Sequence, residues 1–221
     1  MSDQVNYKVV EGWEQLPKGF AHRDVAGVAD DQEDGVYLIC RGENPVIVYD
    51  RQGNFLRTWG EGDFSMRGHV IYVAPNGTTF ATDDGNHTVR QFTPEGRLLV
   101  TMGTLNGPSD TGYDGKTTGS ISRTGPPFNR PTNVAIGSRG NIYISDGYGN
   151  SRVHMFSPTG QLKPRGASPE TVLASSGCRT GSPVHPTVGA SCATVNRSDF
   201  RSSAPMATPS SNGPTRNAPH T

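Results

Sequence analysis

The sequence predicts an all-β protein, a β-propeller made of four-stranded blades, and three observations lead to this fold class. Glycine and proline are abundant, at 28 and 17 of 221 residues, while hydrophobic residues make up 32%. Short apolar runs alternate with turns rich in glycine, aspartate and asparagine up to about residue 163. One pattern of strands and turns also recurs three times. A period of about 40 to 45 residues with four short strands is typical of a propeller blade.

The repeats are clearest when three segments are compared: GVADDQEDGVYLICRGENPVIVYDRQGNFLRTWG (27–60), VIYVAPNGTTFATDDGNHTVRQFTPEGRLLVTMG (70–103) and NVAIGSRGNIYISDGYGNSRVHMFSPTGQLK (133–163). Each predicts an apolar strand, a glycine-containing turn, a second strand, a polar turn and a third strand. The third strand ends in an aromatic residue, which is Tyr49, Phe92 or Phe156. A glycine then follows four residues later and predicts the turn to a fourth strand.

The repeats set the expected domain boundaries. We expect blades at about 25–60, 68–103 and 131–163, preceded by an N-terminal segment, 1–24, that supplies a closing strand. Between the second and third blades, residues 104–130 form an inserted loop rich in glycine, proline and serine. Long loops in compact domains are often functional, so we expect this one to form a lid or a wall over one face.

The tail, residues 164–221, has a different composition from the rest of the chain. It consists mostly of serine, threonine, proline, alanine, glycine and arginine, and Phe200 is its single aromatic residue. Such a segment buries too little apolar surface to offset the entropy of ordering, so we expect disorder. It is either a natural low-complexity tail or out-of-frame translation of a GC-rich gene. We favour the second interpretation, in which the chain is frameshifted or truncated.

Charge and composition exclude several classes of partner. The formal net charge is zero, and no basic patch predicts binding to nucleic acid or to an anionic membrane. No apolar run of about 18 residues and no signal-peptide pattern occurs, so we expect a cytoplasmic protein without a membrane span. The three cysteines are widely separated, which argues against a disulfide framework. We expect Cys40, at the end of an apolar strand, to be a buried small hydrophobe.

Two turn motifs identify the kind of repeat. DDGNHTVRQF and DGYGNSRVHMF place an aspartate, then Asn-x-x-Val, then a closing aromatic residue, and RGENPVIVY fits with Arg41 in place of aspartate. This pattern resembles the NHL-repeat propellers, which usually have six blades. The resemblance therefore implies that the chain holds about three of six blades. Open blade edges would then allow self-association, for example of two half-rings.

A narrower resemblance concerns four motifs: AGVADDQEDGVYLICRGE, RGHVIYVAPNG, FNRPTNVAI and SDGYGNSRVHMFSPTG. In this order they are similar to the peptidyl-α-hydroxyglycine amidating lyase family, bacterial type. The resemblance implies that His69 is the first of three histidines that bind a catalytic zinc ion. It also implies that the backbone carbonyls of Val28 and Ile71 bind a structural calcium ion. The remaining ligands of both ions fall in blades that the chain lacks.

The same resemblance implies that Arg41 and Tyr148 are active-site residues. The family cleaves a peptidyl-α-hydroxyglycine into a peptide amide and glyoxylate, so the implied substrate is peptide-like or a small α-hydroxy amide. A tyrosine whose phenolate is stabilised by a guanidinium could accept the hydroxyl proton, and arginine could bind the carboxylate. We expect the chain alone to be inactive. Animal members have apparently paired cysteines at the positions of Asn129 and Gly149.

Alternative interpretations accompany each of these assignments. The whole protein could be a non-catalytic propeller that binds a peptide or protein, with Arg41 and Tyr148 as interface residues. Tyr148 could simply belong to a turn in which the neighbouring glycines supply positive φ. We expect the aspartates of the turns to bind the backbone of their own turns; they are Asp83, Asp84 and Asp146. We expect His87 and His154 to lie in strands and face outward.

Overall fold

The computed structural model describes residues 8–164, and these form the all-β architecture that the sequence predicts. Two four-stranded antiparallel sheets and one three-stranded antiparallel sheet follow one another along the chain. Within these residues the helical content is a single 3-10 turn, Thr118–Ser120, and no helix is long and apolar enough to cross a membrane. Each sheet keeps the strand order of the sequence, as a propeller blade does. The predicted fold class is therefore confirmed.

Each sheet consists of short strands joined by tight turns. Blade 1 contains β1 Asp24–Asp30, β2 Val36–Arg41, β3 Val46–Tyr49 and β4 Phe55–Trp59. Blade 2 contains β5 Gly68–Val73, β6 Thr79–Asp83, β7 Thr88–Phe92 and β8 Leu98–Gly103. Blade 3 contains β9 Asn133–Ile136, β10 Ile142–Asp146 and β11 Arg152–Phe156.

The register is repeated from blade to blade. Val28 pairs with Leu38, Ile71 with Ala81, and Val134 with Ile144, so the repeat positions read from the sequence are structurally equivalent. β1 lies against β5, and β5 lies against β9, which places the first strand of each blade innermost. In blade 3 a bridge between Phe156 and Leu162 begins a fourth strand.

Two apolar layers hold the blades together. Between blades 1 and 2, Ile39, Val46 and Trp59 pack with Phe92, and between blades 2 and 3 the core contains Phe80, Val89, Phe128 and Ile144. Nearly all of these side chains are inaccessible to solvent, and full burial of one large apolar side chain contributes about 1.5–3 kcal/mol. The three closing aromatic residues predicted from the repeats are buried; they are Tyr49, Phe92 and Phe156.

The N-terminal segment covers the side of blade 1 that faces away from blade 2. The ring of Trp13 packs on Tyr49, and the ring of Phe20 packs on Phe55. The amide of Gln15 donates to the carbonyl of Gly53 at 2.8 Å, and this single bridge is the segment's strand-like contact within the described residues. The role of residues 1–24 in closing a ring stays a prediction, as do the boundaries of the domains. The prediction of a disordered tail at 164–221 concerns residues that, from 165 onward, lie outside the described part of the chain.

Candidate functional site

The start of each first strand and the turn after each second strand lie at one end of the blades, which we call the upper end. Antiparallel pairing requires this, because β1, β5 and β9 begin where β2, β6 and β10 finish. Arg41 ends β2, His69 is near the start of β5, and Tyr148 follows β10. Three predicted site residues from three blades therefore share the upper end.

His69 and Tyr148 are in direct contact although 79 residues separate them in the chain. Nε2 of His69 lies 3.3 Å from the hydroxyl of Tyr148, and the two rings meet edge to face with centroids 5.8 Å apart. Burial lowers the pKa of His69 below its ordinary value, and the positive charges of Arg41 and Arg67 lower it further, against opposing effects from Asp84 and the backbone of Thr132. The imidazole is thus neutral at pH 7 and can accept a proton.

Arg41 approaches the same place from blade 1. Its Nε donates to the carbonyl of Gly68, the residue before His69, at 3.2 Å. Within residues 8–164 its two terminal nitrogens make no hydrogen bond. A guanidinium that is fixed through Nε and free at its outer edge can bind a carboxylate with two parallel hydrogen bonds. The arrangement therefore offers an anion site beside the His69–Tyr148 pair.

The turn that presents Tyr148 runs from β10 to β11, and Tyr148 is 36% exposed. The alternative in which the neighbouring glycines supply positive φ does not hold, because the turn residue with positive φ is Ser151, at 50°, and not Gly147 or Gly149. Gly149 instead allows a close approach: a β-carbon there would lie 2.7 Å from the carbonyl oxygen of Asn129. The amide of Gly149 donates to that carbonyl at 3.0 Å.

The inserted loop 104–130 supports this turn from outside the blade. The hydroxyl of Thr111 donates to the carbonyl of Gly149 at 2.6 Å, and both residues are buried. The side chain of Asn150 donates to the carbonyl of Gly125 at 2.6 Å and accepts from its amide at 3.0 Å. Gly149 and Asn129, the two positions at which the resemblance implies cysteines in animal members, are thus joined by backbone hydrogen bonding. Whether the loop also forms a lid or wall stays a prediction.

An ion pair at the upper end was not predicted from the sequence. Arg67, two residues before His69, donates from Nε and Nη2 to the two carboxylate oxygens of Asp84, at 2.8 and 2.6 Å. The carboxylate is completely buried, whereas the Arg67 side chain is 51% exposed. The expectation that Asp84 binds its own turn is therefore wrong. One sequence signal could have indicated this pair: Asp84 is the repeat equivalent of Arg41, which the motifs assign to the site.

Asp83 and Asp146, which occupy equivalent positions, bind different partners. Asp83 accepts from the amide and the hydroxyl of Ser65, in the segment before β5, and also from the amides of Gly85 and Asn86, at 3.0 and 3.2 Å, so it caps its own turn as predicted. Asp146 does not: its Oδ2 accepts from the Asn129 amide at 2.8 Å, from the Asn150 side chain at 2.7 Å and from His154 at 3.2 Å. The other oxygen, Oδ1, is buried without a hydrogen bond in the described part of the chain.

Both histidine expectations outside the site are wrong. His154 lies in β11 but is 3% exposed, with its ring edge to face against Phe128. His87 lies in the turn before β7, where its Nδ1 accepts from the amide of Arg130 at 3.2 Å. Both side chains make their contacts at the junction between blades 2 and 3. Cys40, by contrast, is buried as predicted, and burial raises the pKa of its thiol to about 11.

The metal assignments require ligand atoms that residues 8–164 supply only in part. His69 is half-buried, its Nδ1 has no hydrogen bond of normal geometry and its Nε2 faces Tyr148, so it could provide one ligand. Within these residues no three histidine, cysteine, aspartate or glutamate side chains are grouped as a metal site. The donors described thus do not make a complete zinc site. Val28 and Ile71 lie in innermost strands, and their calcium role stays a prediction.

A second cleft lies at the opposite, lower end, between blades 1 and 2. It has a volume of about 530 Å³, and its lining includes Asp31, Glu33, Tyr37, Arg57 and Pro94. None of the five predicted site residues borders it; they are Val28, Arg41, His69, Ile71 and Tyr148. It contains no residue equivalent to His69 or Tyr148, and the guanidinium of Arg57 is engaged by the hydroxyl of Tyr37 and the carbonyl of Pro94. The upper end is therefore the better candidate site.

Comparisons with known proteins agree with the repeats. The NHL repeat family model matches residues 128–156, which include all of β9–β11. Human "NHL repeat-containing protein 3" is 26% identical over 157 residues, covering 67% of this chain and 42% of that protein. "Peptidyl-alpha-hydroxyglycine alpha-amidating lyase 1" of Drosophila melanogaster is 30% identical over 107 residues, covering 47% of this chain and 17% of that protein.

Among solved structures, a streptogramin B lyase matches with a TM-score of 0.48 at 13% identity, covering 66% of this chain and 41% of that one. The chain spans less than half the length of the relatives and of the structure named here. The family model matches the third blade, and the curated lyases match about half of the chain. The chain thus has the blade architecture of a β-propeller, contains a match to the NHL repeat at residues 128–156, and resembles the peptidyl-α-hydroxyglycine amidating lyases in sequence.

Proposed function

We propose that the upper end is the substrate site of an amidating-lyase-like propeller, which acts on an N-acyl-α-hydroxyglycine. The observation that carries this proposal is the convergence of Arg41, His69 and Tyr148 from three blades, with Tyr148 and His69 at 3.3 Å. The motifs that supply these residues are those that resemble the lyases, and relatives bearing that name match the chain.

The chemistry requires one proton to be moved and one carbon–nitrogen bond to break. As the C–N bond breaks, the hydroxyl oxygen keeps the electron pair of its O–H bond and forms the carbonyl of glyoxylate. The amide nitrogen takes the bonding pair and a proton. In our proposal the hydroxyl proton passes to the Tyr148 oxygen while the tyrosine proton moves to Nε2 of His69. The same pair then returns a proton to the leaving nitrogen, so the protein ends unchanged.

Burial lowers the pKa of His69, so the imidazole is neutral at the start of the exchange and Nε2 can accept the tyrosine proton. Arg41 binds the substrate carboxylate and thereby directs the α-carbon toward Tyr148. No step is assigned to zinc, since the described residues offer His69 alone among the histidines that the resemblance implies. We expect substrate binding by this chain and little or no turnover.

The alternative is a non-catalytic propeller that uses the upper end to bind a peptide or protein. The exposure of Tyr148 and of half the Arg67 side chain favours it, because tyrosine and arginine are common anchors of interfaces. The two functions differ in what the site recognises. A lyase site must distinguish an α-hydroxyl group, whereas an interface has no need to.

The test is calorimetry of the full chain with N-benzoyl-α-hydroxyglycine and N-benzoylglycine, together with an assay for glyoxylate. The lyase proposal predicts tighter binding of the hydroxylated compound, loss of this preference in Y148F, and weaker binding of both compounds in R41Q. T101V, a change at an exposed threonine of β8, is the control. The binding-module alternative would be favoured by three results together. The two compounds would bind with equal affinity, Y148F would not change that affinity, and no glyoxylate would be released.

A further inference from the structure

We propose that Arg67 is a second carboxylate-binding residue of the upper-end site and that buried Asp84 holds it in place. The inference rests on the proposed function and adds a specificity-determining residue to it. It assigns the substrate class as an acylated amino acid with a free carboxylate, bound between the guanidinium groups of Arg41 and Arg67.

The first observation is the asymmetry of the ion pair. Asp84 is fully buried, and both of its oxygens are engaged by Arg67, while the arginine is half exposed. A buried carboxylate costs free energy unless it is paired, and an ion pair is often no more stabilising than apolar packing at the same place. Stability alone therefore gives a weak reason for the pair. It does fix a long, flexible side chain in a single orientation.

The second observation is which edge of the guanidinium remains free. Nε and Nη2 of Arg67 are bound to Asp84, and Nη1 makes no hydrogen bond within residues 8–164. Arg41 is similar, since Nε binds the Gly68 carbonyl and the terminal nitrogens are free of partners in the described chain. Both arginines are thus anchored by one edge and keep donors for a ligand.

The third observation is that Arg67 and Asp84 lie at the same end of blade 2 as His69. Arg67 precedes β5 and lies two residues before His69, and Asp84 directly follows β6 at the same end of the blade. Arg41 donates to the carbonyl of Gly68, the residue between Arg67 and His69, and His69 in turn contacts the Tyr148 hydroxyl. The two guanidinium groups therefore lie around the same histidine and tyrosine. A carboxylate between them would carry its α-substituent toward Tyr148.

The repeat accounts for the position of the Arg67–Asp84 ion pair. By the register of the repeats, Asp84 occupies in blade 2 the position that Arg41 occupies in blade 1: Arg41 is the last residue of β2, and Asp84 directly follows β6. In blade 1 that position supplies a cation to the site. In blade 2 it supplies the anion that positions a cation from the preceding segment. The same repeat position thus contributes to the anion site in both blades. In blade 1 it supplies a cation directly, and in blade 2 it positions the cation of Arg67.

The experiment compares N-benzoylglycine with N-benzoylglycinamide, which lacks the negative charge, for binding to the full chain and its variants. R67Q should lower affinity for the carboxylate about tenfold, as loss of a charge-assisted hydrogen bond does, and leave affinity for the amide unchanged. R51Q is the matched control, because Arg51 forms a 2.9 Å ion pair with Asp34 at the lower end. It should change neither affinity.

R67Q leaves Asp84 buried without its partner, so a second variant guards against misfolding. R67Q/D84N removes both charges and should show the same loss of carboxylate affinity with a normal unfolding transition. Unchanged affinity in both variants, equal losses for carboxylate and amide, or no binding to the wild type would overturn the inference. If carboxylate binding depends on Arg67 but the α-hydroxyl preference is absent, the carboxylate site stands and the lyase proposal fails.

Discussion

The turns that follow the second strands of blades 2 and 3 occupy equivalent places but are stabilised in different ways. The blade 2 turn has four residues, between Asp83 and Thr88, and Asp83 caps it from within while also binding Ser65 of the short segment before β5. The blade 3 turn has five, between Asp146 and Arg152, and its aspartate binds the inserted loop instead. The longer turn presents Tyr148 and depends on outside support. The predictions below test this difference, from the largest expected effect to the smallest.

The largest effect should come from Asp146. Its buried carboxylate accepts from Asn129, Asn150 and His154, so D146A would leave three donors without their acceptor. We expect a loss of about 3 kcal/mol in the free energy of unfolding, measured with urea. D34A removes an exposed aspartate, and its effect should stay below about 1 kcal/mol. Equal effects would show that the blade 3 network does not stabilise the fold.

The two glycines of the blade 3 turn should differ from one another. In G149A the new methyl group meets the Asn129 backbone at 2.7 Å, so we expect destabilisation of about 1–3 kcal/mol. In G147A the nearest atom is Oγ1 of Thr132 at 3.9 Å, an ordinary contact, and the effect should be below about 0.5 kcal/mol. Thermal unfolding of both variants measures the difference, and a reversed order would refute the close-approach explanation.

Thr111 should matter through its hydroxyl group, which donates to the Gly149 carbonyl and accepts from the Asn129 side chain and the Tyr113 amide. T111V keeps the volume but removes the donor to the Gly149 carbonyl, and we expect a loss of about 1–2 kcal/mol. The amide signals of residues 147–151 should shift in NMR spectra, because the turn loses an anchor. The exposed T101V is again the control and should change neither quantity. A stable T111V with an unshifted turn would show that the loop does not hold Tyr148.

The smallest effect concerns protonation of His69. Arg67 lowers the pKa of this histidine, while Asp84 raises it. R67Q removes the lowering charge and leaves the raising one, so the pKa of His69 should increase, and the ring should stay protonated to higher pH. D84N should shift it in the opposite direction. NMR titration of the imidazole signals measures both, with R51Q as the control; shifts of the same sign would contradict the arrangement.

The sequence predicted the scaffold well because blade formation depends on local patterns. Alternating apolar residues, turn glycines and closing aromatics such as Phe92 recur at fixed spacing, and each repeat requires them. The motif resemblance also identified Arg41, His69 and Tyr148 as candidate site residues. Their convergence in the structure follows from the shared register of the blades.

Contacts that join distant segments could not be read in the same way. The Arg67–Asp84 pair links the start of blade 2 to a turn 17 residues later, and Thr111 reaches Gly149 across 38 residues. No periodic pattern specifies either contact, since both depend on how a loop is folded against a blade. Aspartate after a strand is most often a turn residue, and this local rule held for Asp83 but failed for Asp84 and Asp146.

The central claim is that Arg41, His69 and Tyr148 form one site that recognises an α-hydroxyl group. Its most direct test is NMR of the His69 imidazole during titration of the full chain with N-benzoyl-α-hydroxyglycine and with N-benzoylglycine. We predict a large shift of Nε2 with the hydroxylated compound, a smaller one with N-benzoylglycine, and no difference between them in Y148F. Binding that leaves the His69 signals unmoved, or moves them equally with both compounds in the wild type, would contradict the claim.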